Sequence, residues 1–158
     1  MAYVVFVLRL AIGGLLLVAG ALKAHDGPTA TAITLANYRI LPQPLVAPLG
    51  TALPYFEIML GAYLVAGLFT RIAGWVAAAQ FGIFAIAVAS LVIRKIPADC
   101  GCFGSSIPTP PSWGHVGLDC LLVLGAAAIA LRAPGAFALD CMLFPSGYFA
   151  AGREAHSP

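Results

Sequence analysis

Four long apolar stretches, separated by more polar segments, decide what this chain can become. They run over Tyr3 to Leu22, Leu49 to Phe69, Ile72 to Ile93, and from Ser112 to about Leu131. A helix needs about 20 residues to cross a hydrocarbon core, and each run meets that length. The chain is 61% hydrophobic and 9% charged, against about 25% charged residues in ordinary soluble domains. It reads as an all-α integral membrane protein, a four-helix bundle with short interfacial segments and with membrane lipid as its surroundings. Its 158 residues hold one small bundle and no separate soluble domain, and a net charge of +2 is too modest for a nucleic-acid partner.

Between the first two runs lies a more polar stretch, Lys23 to Pro48. Thr29 to Ile40 reads there as a short interfacial helix, with Pro42, Pro44 and Pro48 expected to stop it. Ala21 to Ala24 offers small residues where a signal peptide could be cleaved, but no positive charge precedes the first run, which argues against that reading. Only Thr70 and Arg71 separate the second and third runs, so a tight antiparallel hairpin is expected opposite the 95–112 loop. Ser112 is the expected N-cap of the last span. Residues 1–132 are thus expected to form the membrane unit, and 133–158 an interfacial tail whose apolar piece, Phe137 to Phe144, is too short to cross. Gly13, Ala85 and Ala89 read as close-packing positions.

The loop after the third run contains Asp99-Cys100-Gly101-Cys102-Phe103-Gly104. A disulfide between Cys100 and Cys102 would close a very small ring, and strained bridges are easier to reduce than relaxed ones. Exchange with other proteins, a local staple, and ligation of a soft metal by Cys100, Cys102 and His115 are three readings that spacing alone leaves open.

Ionisable residues in apolar spans are costly and call for a partner or a function. Arg9 and Glu57 are the natural pair, either a buried ion pair fixing helix register or a quinone or proton site. His115 and Asp119 are four residues apart and share a helix face below the cysteine loop, where they read either as an imidazole oriented by the carboxylate to stabilise a thiolate or shuttle its proton, or as a hydrogen-bonded pair that caps the helix start. Cys120 lies seven residues beyond Trp113, roughly 10 Å along a helix. It reads either as an electron relay or as a small buried hydrophobe. Cys141 falls on the opposite side and is not expected to pair with the loop. No Cys-x-x-Cys-His haem motif, four-cysteine cluster, phosphate loop or serine nucleophile constellation is visible in the sequence.

Several ordered elements resemble the MauE family, methylamine utilization membrane proteins related to the DoxX-like group. They are Arg9-Leu10-Ala11-Ile12-Gly13 with Gly20-Ala21-Leu22-Lys23, then Tyr38-Arg39-Ile40-Leu41-Pro42, Pro54 to Gly61 around Glu57, the Cys-Gly-Cys-Phe-Gly core at 100–104, and Ser112-Trp113. Together they span roughly residues 5 to 130. The resemblance implies a four-helix membrane protein that works with a thioredoxin-like partner in maturing the disulfide-rich small subunit of methylamine dehydrogenase. MauE-like proteins also occur where that enzyme is absent, so fold and compartment carry over better than the client. Asp119 departs from the Asn expected in many relatives.

Two functions follow as expectations. In the first, Cys100 and Cys102, supported by Asp99, His115, Asp119 and Cys120, exchange disulfides with a thioredoxin-like protein acting on a secreted client. Quinone would be the electron acceptor, although nothing in the sequence identifies its pocket. In the second, the chain is a noncatalytic subunit of a larger membrane complex. Basic residues do not decide the orientation, with Arg71, Arg132 and Arg153 at one end and Lys23, Arg39, Arg94 and Lys95 at the other. Disulfide chemistry would itself place the loop on the periplasmic or outer face of a bacterial inner membrane.

Overall fold

The computed structural model describes residues 2–96, 98–101, 110–133 and 137–140. Five helices follow one another: α1 (Ala2–Asp26), α2 (Pro28–Asn37), α3 (Gln43–Ala66), α4 (Thr70–Arg94) and α5 (Trp113–Arg132). All but α2 are long and apolar enough to cross a membrane, and the described residues contain no strand. The expected four-span, all-α architecture is therefore present, with α2 as the short segment between the first two spans.

Proline positions explain where the boundaries moved. The second span starts at Gln43, not Leu49, with Pro42 as N-cap and Pro44 in the first turn. A first-turn proline removes no intrahelical donor, so only Pro42 marks a stop. Pro48 and Pro54 both lie inside the helix, each at the loss of one backbone bond, as membrane helices tolerate when neighbours support them. The hairpin turn also falls earlier than expected, at Gly67 to Phe69. Gly67 adopts φ 72, and its N–H and that of Leu68 both bond the Tyr63 carbonyl, at 2.9 and 3.0 Å.

Small residues let the helices approach. A Cβ built on Gly13 would lie 2.9 Å from the Gly61 carbonyl oxygen, and one on Gly61 would lie 2.7 Å from the Gly13 oxygen. The backbones of α1 and α3 therefore meet directly. Gly74 plays the same part between α4 and α5, where a Cβ would stand 2.9 Å from the Ala130 nitrogen. Ile12, Leu16, Leu60, Leu64, Phe81 and Ile129 fill the centre. Ile72, Ile83, Ile86, Leu121, Leu124 and Leu131 face outward, as lipid-facing positions would.

The two ends of the bundle differ. At one end Arg9, fully buried, donates from Nε to the Leu64 carbonyl at 2.9 Å and from Nη2 to Val65 at 3.3 Å. Its charge thus meets the carbonyl end of α3, where the helix dipole is negative. The described tail residues dock at this same end. Asp140 is buried and accepts hydrogen bonds from the Phe69 and Thr70 N–H groups at 2.7 and 2.8 Å, while its own N–H bonds the Gly67 carbonyl at 3.0 Å. A carboxylate from beyond α5 therefore caps α4. The rest of the proposed tail, Cys141 included, lies outside the described residues.

Candidate functional site

The opposite end gathers α2, the last turns of α1 and α4, the start of α5, and the cysteine loop. Helix α4 stops at Lys95, whose φ of 51 turns the chain back while its N–H bonds the carbonyls of Leu91 and Val92. The loop then lies along α2. The Tyr38 hydroxyl donates to the Cys100 carbonyl, and Arg94 Nη1 donates to the Tyr38 carbonyl at 3.1 Å. Gly101 adopts φ 65, and a Cβ there would fall 2.4 Å from Thr34 Cγ2, so the backbone rests directly on α2.

Cys100 is 2% exposed and disulfide-bonded. Its sulfur partner lies outside the described residues, as does Cys102, and with it the alternative of metal ligation by Cys100, Cys102 and His115. Asp99, next in the chain, is exposed. Burial pushes the Tyr38 phenol up to about 12, with the negative charge of Asp119 adding to it. Tyr38 is accordingly a neutral hydrogen-bond donor at every physiological pH.

Glu57 pairs with Lys23, not with Arg9. Lys23 Nζ lies 2.7 Å from Glu57 Oε1 and 2.8 Å from Oε2, with both side chains buried, and Gln80 Nε2 adds a bond to Oε1 at 3.2 Å. The pair expected from the sequence fails because the antiparallel register of α1 and α3 brings Arg9 beside Leu64, seven residues past Glu57. Lys23, near the end of α1, reaches Glu57 instead. Three helices meet at this carboxylate, which fits the structural reading of Glu57.

His115 and Asp119 do share a face, and with Glu57 they line a small cleft of ≈ 40 Å³ between α1, α3, α4 and α5. The imidazole's hydrogen bond, however, runs to the Ser112 hydroxyl, Nδ1 to Oγ 2.9 Å. Ser112 is the N-cap residue of α5, as expected, but its side chain serves His115 and makes no bond to the helix backbone. Asp119 Oδ2 is buried without a hydrogen-bond partner among the described residues. Cys120 is a free, exposed thiol. It is neither buried, as the hydrophobe reading required, nor among the residues lining a cavity with Cys100.

A larger cavity of ≈ 140 Å³ connects the loop to the ion pair. Lys23, Thr34, Tyr38, Phe84, Ala87 and Cys100 line it, and most of its remaining wall is aliphatic. Lys23 Nζ stands 5.3 Å from the centre of the Phe84 ring, within cation–π range.

The family model for "Methylamine utilisation protein MauE" matches residues 1–133, which include the ion pair, the loop and the cavity. The chain belongs to the MauE family. Among curated MauE proteins it is 31% identical to that of Methylorubrum extorquens over 117 residues, covering 73% of this chain and 63% of the relative. It is 37% identical to that of Methylophilus methylotrophus over 97 residues, 61% of this chain and 48% of the relative. To that of Paracoccus denitrificans it is 35% identical over 101 residues, 63% of this chain and 54% of the relative. The chain thus matches between about half and somewhat under two thirds of the length of these MauE relatives. No solved structure matches. Family membership and four spanning helices fit a multi-pass membrane protein.

Sequence reasoning missed Lys23, Gln80 and Tyr38 as members of this site. Lys23 and Tyr38 were both within elements that carry the MauE resemblance, which was the available signal. Gln80 stood in an apolar run as an uncharged polar residue.

Proposed function

We propose that this MauE-family protein is the membrane component of a thiol–disulfide exchange system that works with a thioredoxin-like protein to mature an exported client. The observation that carries the reading is the buried, disulfide-bonded Cys100, anchored through its carbonyl to Tyr38 beside an apolar cavity. An isolated staple would need no cavity at its back. In the exchange, a thiolate of the reduced partner attacks one sulfur of the loop disulfide, and a mixed disulfide forms as the other sulfur leaves as thiolate. The partner's second thiolate then breaks the mixed bond. The partner leaves oxidised and the loop keeps two thiols. By family, the client is the methylamine dehydrogenase small subunit, and the loop faces the periplasm.

The test is partner oxidation by membranes carrying Cys100→Ser or Cys102→Ser. Each change is expected to abolish oxidation of the thioredoxin-like protein with membrane insertion intact. Full oxidation by the double variant overturns the reading in favour of a noncatalytic subunit.

A further inference from the structure

We propose that the ≈ 140 Å³ cavity between α2 and α4 is the binding site for the ring of a membrane quinone, which oxidises the reduced Cys100 thiol and its partner back to the disulfide after each exchange. The proposal rests on the exchange reading above and names its electron acceptor.

Four features of the cavity select this ligand class. Its size suits one six-membered ring: an apolar cavity of about 150 Å³ holds a benzene molecule. Its wall is aliphatic and aromatic, so a charged or sugar-like ligand would leave buried polar groups unpaired. It also reaches the outer surface of the bundle, since the wall residues Ile40 and Ile83 are 51% and 64% exposed. Ile83 lies in the middle of α4, at the depth of lipid chains, so an isoprenoid tail can leave the cavity into the bilayer. Finally, the wall holds two groups with complementary chemistry. Cys100, a disulfide-bonded residue that lines the cavity, would bring the sulfur to be oxidised, and Lys23, buried in its ion pair, brings an ammonium.

Lys23 carries three N–H donors, of which Glu57 receives two through its two carboxylate oxygens. The third remains for a carbonyl oxygen in the cavity. A quinone oxygen gains negative charge as the ring is reduced, so a fixed ammonium stabilises the reduced ring more than the oxidised one. An acyl chain offers no oxygen to that donor at this depth.

The step balances within the named partners. Two loop thiols give up two electrons and two protons as the S–S bond forms. The quinone ring takes both electrons and both protons and departs as hydroquinone. The loop is then ready for another reduced partner.

The experiment uses the full-length protein in quinone-free phosphatidylcholine nanodiscs. The loop is reduced with a phosphine, the phosphine is removed, and ubiquinone-1 is added without oxygen. One hydroquinone is expected per disulfide re-formed, by ultraviolet absorbance and thiol mass spectrometry together. Ala87→Trp, which fills the cavity, is expected to slow this reoxidation at least tenfold. Diamide, an oxidant that needs no site, should re-form the disulfide in both proteins and so report intact folding and thiols. A photoreactive azidoquinone should label the α4 peptide around Ile83 and Ala87. No quinone-dependent reoxidation, an unchanged rate in a folded Ala87→Trp protein, or labelling only at residues that do not line this cavity overturns the proposal. Single-turnover oxidation of reduced thioredoxin by the oxidised protein, with no quinone present, separates the two readings. Exchange without quinone reoxidation sinks the quinone site alone; quinone reoxidation without exchange sinks the partner reading alone.

Discussion

Lys23 Nζ donates to both carboxylate oxygens of Glu57, at 2.7 and 2.8 Å, and so ties the end of α1 to the middle of α3 with both charges out of contact with the surroundings. Removing one partner leaves the other as an uncompensated buried charge, which costs about 3–5 kcal/mol. Lys23→Met and Glu57→Leu are each expected to lower the thermal midpoint in detergent sharply. The double variant should recover most of the loss. Additive losses in a double-mutant cycle would refute the pairing.

Gly101 is the point where the loop touches α2. Any side chain there meets Thr34 and also carries the cost of a left-handed backbone, about 1–2 kcal/mol. Gly101→Ala is expected to lift the loop, and the Cys100 disulfide should then be reduced faster by a bulky phosphine. Thr34→Ser removes the contacting methyl and should recover part, but not all, of the protection. Equal reduction rates for all three proteins would show that the loop is not held by this contact.

Tyr38 anchors the same loop from the other side. Its hydroxyl bond to the Cys100 carbonyl is expected to contribute about 1 kcal/mol, so Tyr38→Phe should give a modest drop in stability and faster reduction. The phenol is pushed from 10.0 up to about 12 by burial. The folded state therefore holds this proton more tightly than the unfolded state. The contribution is fully present below pH 10 and is lost as pH rises toward 12. Thermal melts across that window should fall more steeply for the wild type than for Tyr38→Phe. Parallel curves would contradict the assignment.

The fold was readable because lipid imposes it: the length of each apolar run set the spans, and the polar interval before Leu49 announced α2. Helix starts were less legible, since Pro44 looks like a break but removes no intrahelical donor in the first turn, and Pro48 gives up one backbone bond without ending the helix. The site was legible only in part. Cys100 stands out in any reading, and so does Glu57. The partner of Glu57 depends on the relative register of α1 and α3, which the facing pair Gly13 and Gly61 fixes by backbone contact. Such a register leaves no periodic trace in either helix alone.

Asp140 supplies the cap of α4 from the far side of the last span. Asp140→Ala is expected to cost about 1–2 kcal/mol and to speed hydrogen exchange at the Phe69 and Thr70 amides specifically. Asp140→Asn should restore part of the protection, because its amide oxygen can accept one of the two bonds. Unchanged exchange at both amides would show that the cap contributes nothing.

That cap also sets an order of events in biogenesis. Asp140 leaves the ribosome 70 residues after Thr70, so throughout synthesis of α4 and α5 the first turn of α4 is without the carboxylate that closes it in the finished protein. The α3–α4 hairpin can enter the bilayer early, but it is locked only when the chain has passed through its last span and returned.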